Sequence, residues 1–341
     1  MGAKIVTGMI TLSLAVVEDR LSSVGAKLDA ISLKTEEDIV KHAADADAVI
    51  VGPTEPYTET AIRAMTRCKV ISRFGIGYSN INVEEATRQG IPVSIVSDAS
   101  SHEVSDHALA FILTFSRRLH LLAPAIRGGA WRPGSKELIA ARGKMVRLNQ
   151  QTLGLVGMGR IGSLVTEKAR AFGLRVIAYD PYISAEAASK AGAQWVGFES
   201  VLKESDFISL HLPLTPKTRH LFGVEEFKKM KPTAYLINTS RGELINEEAL
   251  YDAVTHGAIA GAGLDVTDPE PPDPGNPLLR LERVLVTGHS AWLSETATLE
   301  LQQRTAEAVV QALQGIWPRG VINPEVQNQP NSRIRREGGS T

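Results

Sequence analysis

The sequence has almost no cysteine: among 341 residues there is one, Cys68. A single thiol cannot close an internal disulfide, and it cannot build a metal cluster from several thiolates. Such scarcity suits a reducing compartment. An excess of charge of either sign is also lacking. The chain carries 37 Lys and Arg against 38 Asp and Glu, a net charge of −1. No basic block marks a nucleic-acid surface, and there is no acidic tail. No run of about 18 apolar residues offers a membrane span. The start, Met1-Gly2-Ala3-Lys4, leads straight into a strand-like run and lacks a signal-peptide layout. These absences predict a cytoplasmic globular protein with no nucleic-acid partner, no membrane partner and no metal.

What is present is ordinary in bulk. Hydrophobic residues make up 43% and charged residues 22%, and the length allows two domains. The informative stretch is Gly157-Met158-Gly159-Arg160-Ile161-Gly162. A short apolar run precedes it, a helical pattern follows, and a second apolar run ends at Asp180. Strand, glycine-rich turn, helix, strand and acid together predict a dinucleotide site. Gly157 permits the tight turn. Gly159 lets the backbone approach a pyrophosphate, and Gly162 lets the helix pack on the sheet. The helix N-terminus offers free N–H groups to phosphates. A carboxylate at Asp180 bonds ribose hydroxyls and repels a 2′-phosphate, so NAD(H) is expected and NADP disfavoured.

Apolar runs at 5–11, 24–32, 48–52, 70–74 and 93–96 read as strands, with helical patterns between them. Residues 101–122 read as one long helix. A loop at 127–134 carries Trp131, which either covers its own core or meets another subunit. Polar residues then lead to Gln151. A second alternation brings six strands, at 152–156, 176–179, 207–210, 235–239, 260–266 and 284–286. A last long helix covers 295–315, and 324–341 reads as a disordered tail. The expected class is α/β, with two Rossmann-like or flavodoxin-like domains built on doubly wound parallel sheets. The cofactor domain, 102–293, is inserted into a discontinuous substrate domain, 1–101 with 294–323. A ligand cleft between the two is expected.

Ligands of such sheets bind beyond the carboxyl ends of the strands. Three chemically able residues stand at successive strand ends: Arg241, Glu270 and His289. A guanidinium matches a carboxylate, and an imidazole exchanges protons near neutral pH. A carboxylate beside that imidazole favours its protonated form. Each residue alone is compatible with a surface salt bridge, a loop charge or a core histidine. Together, beside an NAD site, they favour acid–base chemistry on a carboxylate substrate.

Several stretches resemble the D-2-hydroxyacid dehydrogenase family: Arg73 to Asn82, Gly157 to Gly162 with Tyr179-Asp180-Pro181-Tyr182, Ile237 to Gly242, Leu264 through Pro271, and Gly288 to Trp292. The run His289 to Glu295 is similar to the branch containing C-terminal-binding-protein-like corepressors. The resemblance implies that Arg241 binds the substrate carboxylate and carbonyl, that His289 is the general acid and base, and that Glu270 supports it. It implies that Ile76 and Gly77 offer backbone groups to the substrate and that Trp292 lines the pocket. It places His211, Leu212 and Pro213 along the adenosine side of the cofactor, Thr239 and Ser240 near the nicotinamide end, and Asp265 on the nicotinamide amide. It implies NAD(H), a small 2-oxo or 2-hydroxy acid and a homodimer. Two departures stand out. Gly288 replaces the family's usual proline before the histidine, which predicts a looser loop. Ser79 and Asn82 stand where aspartate is common. Two further functions fit the same residues: an NAD(H)-sensing corepressor-like scaffold with weak dehydrogenase activity, and hydride transfer to a non-carboxylate oxyanion such as phosphite.

Overall fold

The computed structural model describes residues 2–9 and 13–334. Expectations for residues 10–11 and 335–341 lie outside them. The chain forms two compact units: 1–100 with 294–341, and 101–293.

The first unit carries a five-stranded parallel sheet: β1 (Lys4–Thr7), β2 (Lys27–Ala30), β3 (Ala48–Val51), β4 (Ile71–Arg73) and β5 (Val93–Ile95), in the order β2-β1-β3-β4-β5. Helices α1 (Ala15–Ser22), α2 (Glu36–Ala43), α3 (Glu59–Ala64) and α4 (Val83–Arg88) connect the strands. β3 is buried along its whole length, as its continuous Ala48-Val49-Ile50-Val51 run requires of a central parallel strand. Asn82 caps α4 by accepting the Glu85 N–H at 2.9 Å. Aspartate and asparagine serve equally as N-caps, so asparagine at this position leaves the helix start intact.

The second unit begins with α5 (Ser101–Ser116), α6 (Leu119–Arg127) and α7 (Lys136–Arg142). Its sheet has seven parallel strands: β6 (Thr152–Val156), β7 (Arg175–Tyr179), β8 (Gln194–Trp195), β9 (Phe207–Leu210), β10 (Tyr235–Asn238), β11 (Gly261–Leu264) and β12 (Val284–Val286). The order is β12-β11-β10-β9-β6-β7-β8. The intervening helices are α8 (Arg160–Ala171), α9 (Ala185–Lys190), α10 (Phe198–Glu204), α11 (Val224–Lys229) and α12 (Glu247–Thr255); α13 (Glu295–Leu313) returns the chain to the first unit. The winding reverses between β6 and β9. That reversal puts Gly157 and His211 side by side at the carboxyl edge.

Four expectations need correction. The sheet has seven strands, not six: β8 is only two residues long and pairs at the edge with β7. The helix expected over 101–122 is two helices, because Arg118 turns left-handed at φ 54°. The stretch read only as polar residues leading to Gln151 contains α7. Residues 324–334, expected within a disordered tail, are built into the first unit. Pro324–Asn328 forms a 3-10 turn, Val326 is fully buried, and Ile334 joins the core beside Ile5 and Val309. Composition marked that segment as polar, but two spaced aliphatic side chains suffice to anchor it.

Among the described residues no single helix is long and apolar enough to cross a membrane; α5 and α6 reach that length and hydropathy only together, across a bend of 63°.

Candidate active site

The glycine turn is built by close approach. Gly157 follows the fully buried β6 and takes φ +93°. A Cβ there would lie 2.3 Å from the His211 carbonyl oxygen, and one on Gly162 would lie 2.5 Å from the Gly157 oxygen. Only glycine allows both contacts. Gly159 differs: no atom lies within 4 Å of where its Cβ would stand, and it caps the N-terminus of α8. This open backbone at a helix start fits a dinucleotide pyrophosphate. Arg160 and Ile161 open the first turn of α8. Asp180, just past β7, accepts the Met158 N–H at 2.9 Å and the Tyr182 N–H at 2.8 Å. Each carboxylate oxygen keeps a further lone pair for a ribose hydroxyl.

His211 donates its backbone N–H to Val156 at 2.8 Å. Its Nε2 meets the Ser209 hydroxyl at 2.9 Å, while Nδ1 is buried without a partner. Burial of the ring pushes the imidazole pKa down to about 4, so it is neutral near pH 7. Leu212 packs on the core, and the Pro213 carbonyl accepts the Thr218 hydroxyl at 2.8 Å.

Arg241 leaves β10 through a turn clamped by Asn238. The Asn238 carboxamide accepts the Ser240 N–H at 3.0 Å and donates to the Arg241 oxygen at 2.7 Å. The Ser240 hydroxyl donates to Leu210 at 2.7 Å. Thr239 is 9% exposed, and its hydroxyl has no partner. A Cβ on Gly242 would stand 2.0 Å from the Thr267 oxygen, so the turn after β10 packs directly on the loop after β11.

That loop carries Glu270. Its Oε1 accepts the Thr267 N–H at 3.2 Å, and its Oε2 lies 2.8 Å from His289 Nδ1. A carboxylate can only accept, so Nδ1 carries a proton and Nε2 is left to exchange one. The pair is partly solvated, with side chains 46% and 37% exposed.

The histidine loop is pinned, not loose. Gly288 takes φ +63° and His289 φ +56°. Proline, locked near −65°, cannot adopt the first of these, which accounts for glycine at 288. Asp265, 2% exposed, secures the loop below. Its backbone oxygen accepts the His289 N–H at 2.6 Å. Its carboxylate accepts the Thr287 hydroxyl at 2.6 Å, the Ser290 N–H at 2.8 Å and the Ala291 N–H at 2.9 Å. His107 Nε2 stands 2.9 Å from the same Thr287 hydroxyl. That hydroxyl has already given its proton to Asp265, so His107 is the donor. Nothing in the sequence marked Thr287, and His107 reaches it from α5.

Trp292 is half-buried just beyond this loop. Ile76 and Gly77 belong to the first unit, on the loop after β4; Ile76 is 49% exposed. Tyr57 is fully buried in the first-unit core. Trp131 is 81% exposed, so it does not cover its own core. Among the described residues no cluster of His, Cys, Asp and Glu has the makings of a metal site.

A doubly wound sheet, a glycine turn paired with an acid, and a carboxylate–histidine pair at neighbouring strand ends define a dinucleotide-dependent dehydrogenase. The profile of the D-isomer specific 2-hydroxyacid dehydrogenase NAD-binding domain matches residues 109–291. The glyoxylate reductase of Korarchaeum cryptofilum is 37% identical over 304 residues, 88% of each chain. A D-3-phosphoglycerate dehydrogenase of Methanocaldococcus jannaschii is 38% identical over 301 residues; the match spans 88% of this chain and 56% of that longer one. The D-lactate dehydrogenase of Aquifex aeolicus, solved with NAD and lactic acid, superposes with a TM-score of 0.81 at 27% identity, over 92% of this chain and 96% of that one. The chain belongs to the D-isomer specific 2-hydroxyacid dehydrogenase family and is an NAD-dependent oxidoreductase.

Proposed function

We propose that the chain interconverts a small 2-oxo acid and its D-2-hydroxy acid, with His289 as general acid and base and Arg241 as the partner of the substrate carboxylate. The 2.8 Å contact between Glu270 and His289 Nδ1 carries this reading. It fixes which ring nitrogen holds its proton and leaves Nε2 to protonate the substrate oxygen on reduction. When bound, NADH supplies the hydride. Arg241 neutralises the carboxylate and draws electron density from the carbonyl as negative charge grows there. Ile76 and Gly77 offer backbone N–H groups to the carboxylate, and Trp292 packs on the substrate side chain. The partnerless Thr239 hydroxyl supports a contact at the nicotinamide end, where Ser240 and Asp265 stand at adjacent strand ends.

His289→Gln is the test. Turnover of 2-oxo acids is expected to fall by about 10²–10⁴-fold, while NADH, followed by its fluorescence, still binds. Wild-type turnover in that variant would end the assignment. A homodimer is supported by the exposed Trp131, which shares an apolar surface hollow with Leu122, Ile126 and Leu138. Sedimentation of Trp131→Ser decides it, since an unchanged dimer would exclude this face.

A further inference from the structure

The histidine loop after β12 has one support that comes from neither strand end. Helix α5 seats Phe111 against β11, where Gly263 leaves it room: a Cβ on Gly263 would lie 2.6 Å from the Phe111 ring. Phe111 is buried, and His107 stands one turn before it on the same helix. The two rings meet edge to face, with centroids 4.9 Å apart and planes at 82°. This contact steadies the imidazole, whose Nε2 reaches the Thr287 hydroxyl at 2.9 Å.

Thr287 is the middle of a chain of hydrogen bonds. Its single proton goes to Asp265 Oδ1 at 2.6 Å, and a lone pair takes the His107 N–H. His107 Nε2 itself lies 3.8 Å from Asp265 Oδ1, too far for a direct hydrogen bond, so the link runs through the hydroxyl. Beyond Thr287, Asp265 accepts the backbone N–H groups of His289, Ser290 and Ala291. The loop needs such holding. His289 sits at φ +56°, a backbone conformation that a residue with a side chain keeps only when its surroundings enforce it. The His107 side chain is 24% exposed, so filling the core is not its main contribution. Without its N–H, the Thr287 hydroxyl is free to rotate away from Asp265 and take water as a partner.

We propose that His107 is a positioning residue for the reaction: by donating to Thr287 it fixes the hydroxyl that Asp265 accepts, and so holds the loop that presents His289. This rests on the reading of His289 as general acid and base. All four residues belong to the second unit. His107 touches no reacting atom in this scheme. It acts by keeping the imidazole of His289 where proton transfer is possible, and small displacements there lower the rate of the chemical step.

The experiment compares wild type with His107→Leu, His107→Gln, Thr287→Val and the double variant His107→Leu/Thr287→Val. Leucine keeps packing against Phe111 and loses the N–H, whereas glutamine keeps an N–H at the reach of Nε2. Each is assayed with NADH against glyoxylate, hydroxypyruvate and phenylpyruvate. In His107→Leu kcat should fall about three- to tenfold, as expected for one hydrogen bond. KM should stay within about twofold, because Arg241 holds the substrate from a different turn. His107→Gln should recover most of the lost kcat. Thr287→Val should lower kcat at least as far, and adding His107→Leu to it should change nothing more. Amide hydrogen exchange across 287–293 should quicken in His107→Leu and not in His107→Gln. Wild-type kcat in His107→Leu overturns the proposal. Equal losses in the leucine and glutamine variants also overturn it, as do additive losses in the double variant, since both outcomes describe packing and not the hydrogen bond. If wild type reduces no 2-oxo acid, the proposed reaction has failed; the exchange measurement then decides the His107 link separately, and unchanged exchange in His107→Leu overturns it.

Discussion

Single residues at this site do two kinds of work, and only one kind can be read from a sequence. Arg241, Glu270 and His289 announce themselves by chemistry, since each is a reactive type at the end of an apolar run. The residues that hold them do not. Asp265 stands 24 positions before His289, yet its carboxylate and carbonyl fix the backbone of that loop. Gly288 looked like a loosening substitution, and its positive φ shows it to be a requirement of the loop's shape. His211 makes the residue-scale prediction. Its folded pKa, about 4, lies below the ordinary 6.5. Above pH 6.5 the ring is neutral in both folded and unfolded chains, and it adds no pH dependence. As pH falls below 6.5 the unfolded chain takes up the proton and the folded one does not. Stability is therefore lost progressively down to pH 4, by about 3 kcal/mol in total. Urea unfolding at pH 7, 5.5 and 4.5 should show this slope, and His211→Asn should flatten it. Identical slopes in both proteins would show that His211 is not the group responsible.

At the scale of elements, periodicity located most strands and helices, and it failed where the deciding contact is distant. Nothing local stops the helix begun at Ser101. It breaks because Arg118 is drawn to α7: its guanidinium Nε donates to the Ala141 oxygen at 2.8 Å, satisfying a carbonyl at that helix's last turn. The partner lies 23 residues on, beyond any helical period. The β6–α8–β7 element was legible because its glycines answer to local geometry, yet the three glycines are not equivalent. Gly162→Ala sets a methyl group 2.5 Å from a backbone oxygen. Overpacking of this kind costs about 1–3 kcal/mol, so both thermal stability and NADH affinity should fall. Gly159→Ala meets nothing within 4 Å and keeps an ordinary φ of −75°. Its stability should stay within about 0.5 kcal/mol of wild type, while NADH affinity drops at least tenfold as the methyl takes the space of the pyrophosphate. Calorimetry with and without NADH separates the two. If Gly159→Ala binds NADH normally, the pyrophosphate does not lie on this turn.

On the scale of the whole molecule, each unit closes its core with chain from far along the sequence, and the 324–334 segment is the clearest case. It crosses the turn at Gly90, where φ is +70° and a Cβ would strike the Asn331 oxygen at 2.2 Å. Arg333 donates its N–H to the Gly90 oxygen at 2.9 Å and its guanidinium to Gln89 at 3.1 Å and Met65 at 3.1 Å. Ile334 then fills a core position against strand and helix residues more than 300 positions earlier. Ending the chain after Asn323 removes Val326 and Ile334 from the interior. Each buried aliphatic side chain is worth about 1.5–3 kcal/mol, an upper figure because unfolded chains already bury some surface. The backbone carbonyls of Met65, Gln89 and Gly90 would also lose their donors. The truncated protein should therefore melt on the order of 10 °C lower. Amides in α4 and in the turn at 89–91 should exchange faster, because that turn loses the segment packed across it. The second unit contains none of these contacts, so its exchange pattern should be untouched. Wild-type melting in the truncated chain would mean that this segment rests on the first unit without supporting it.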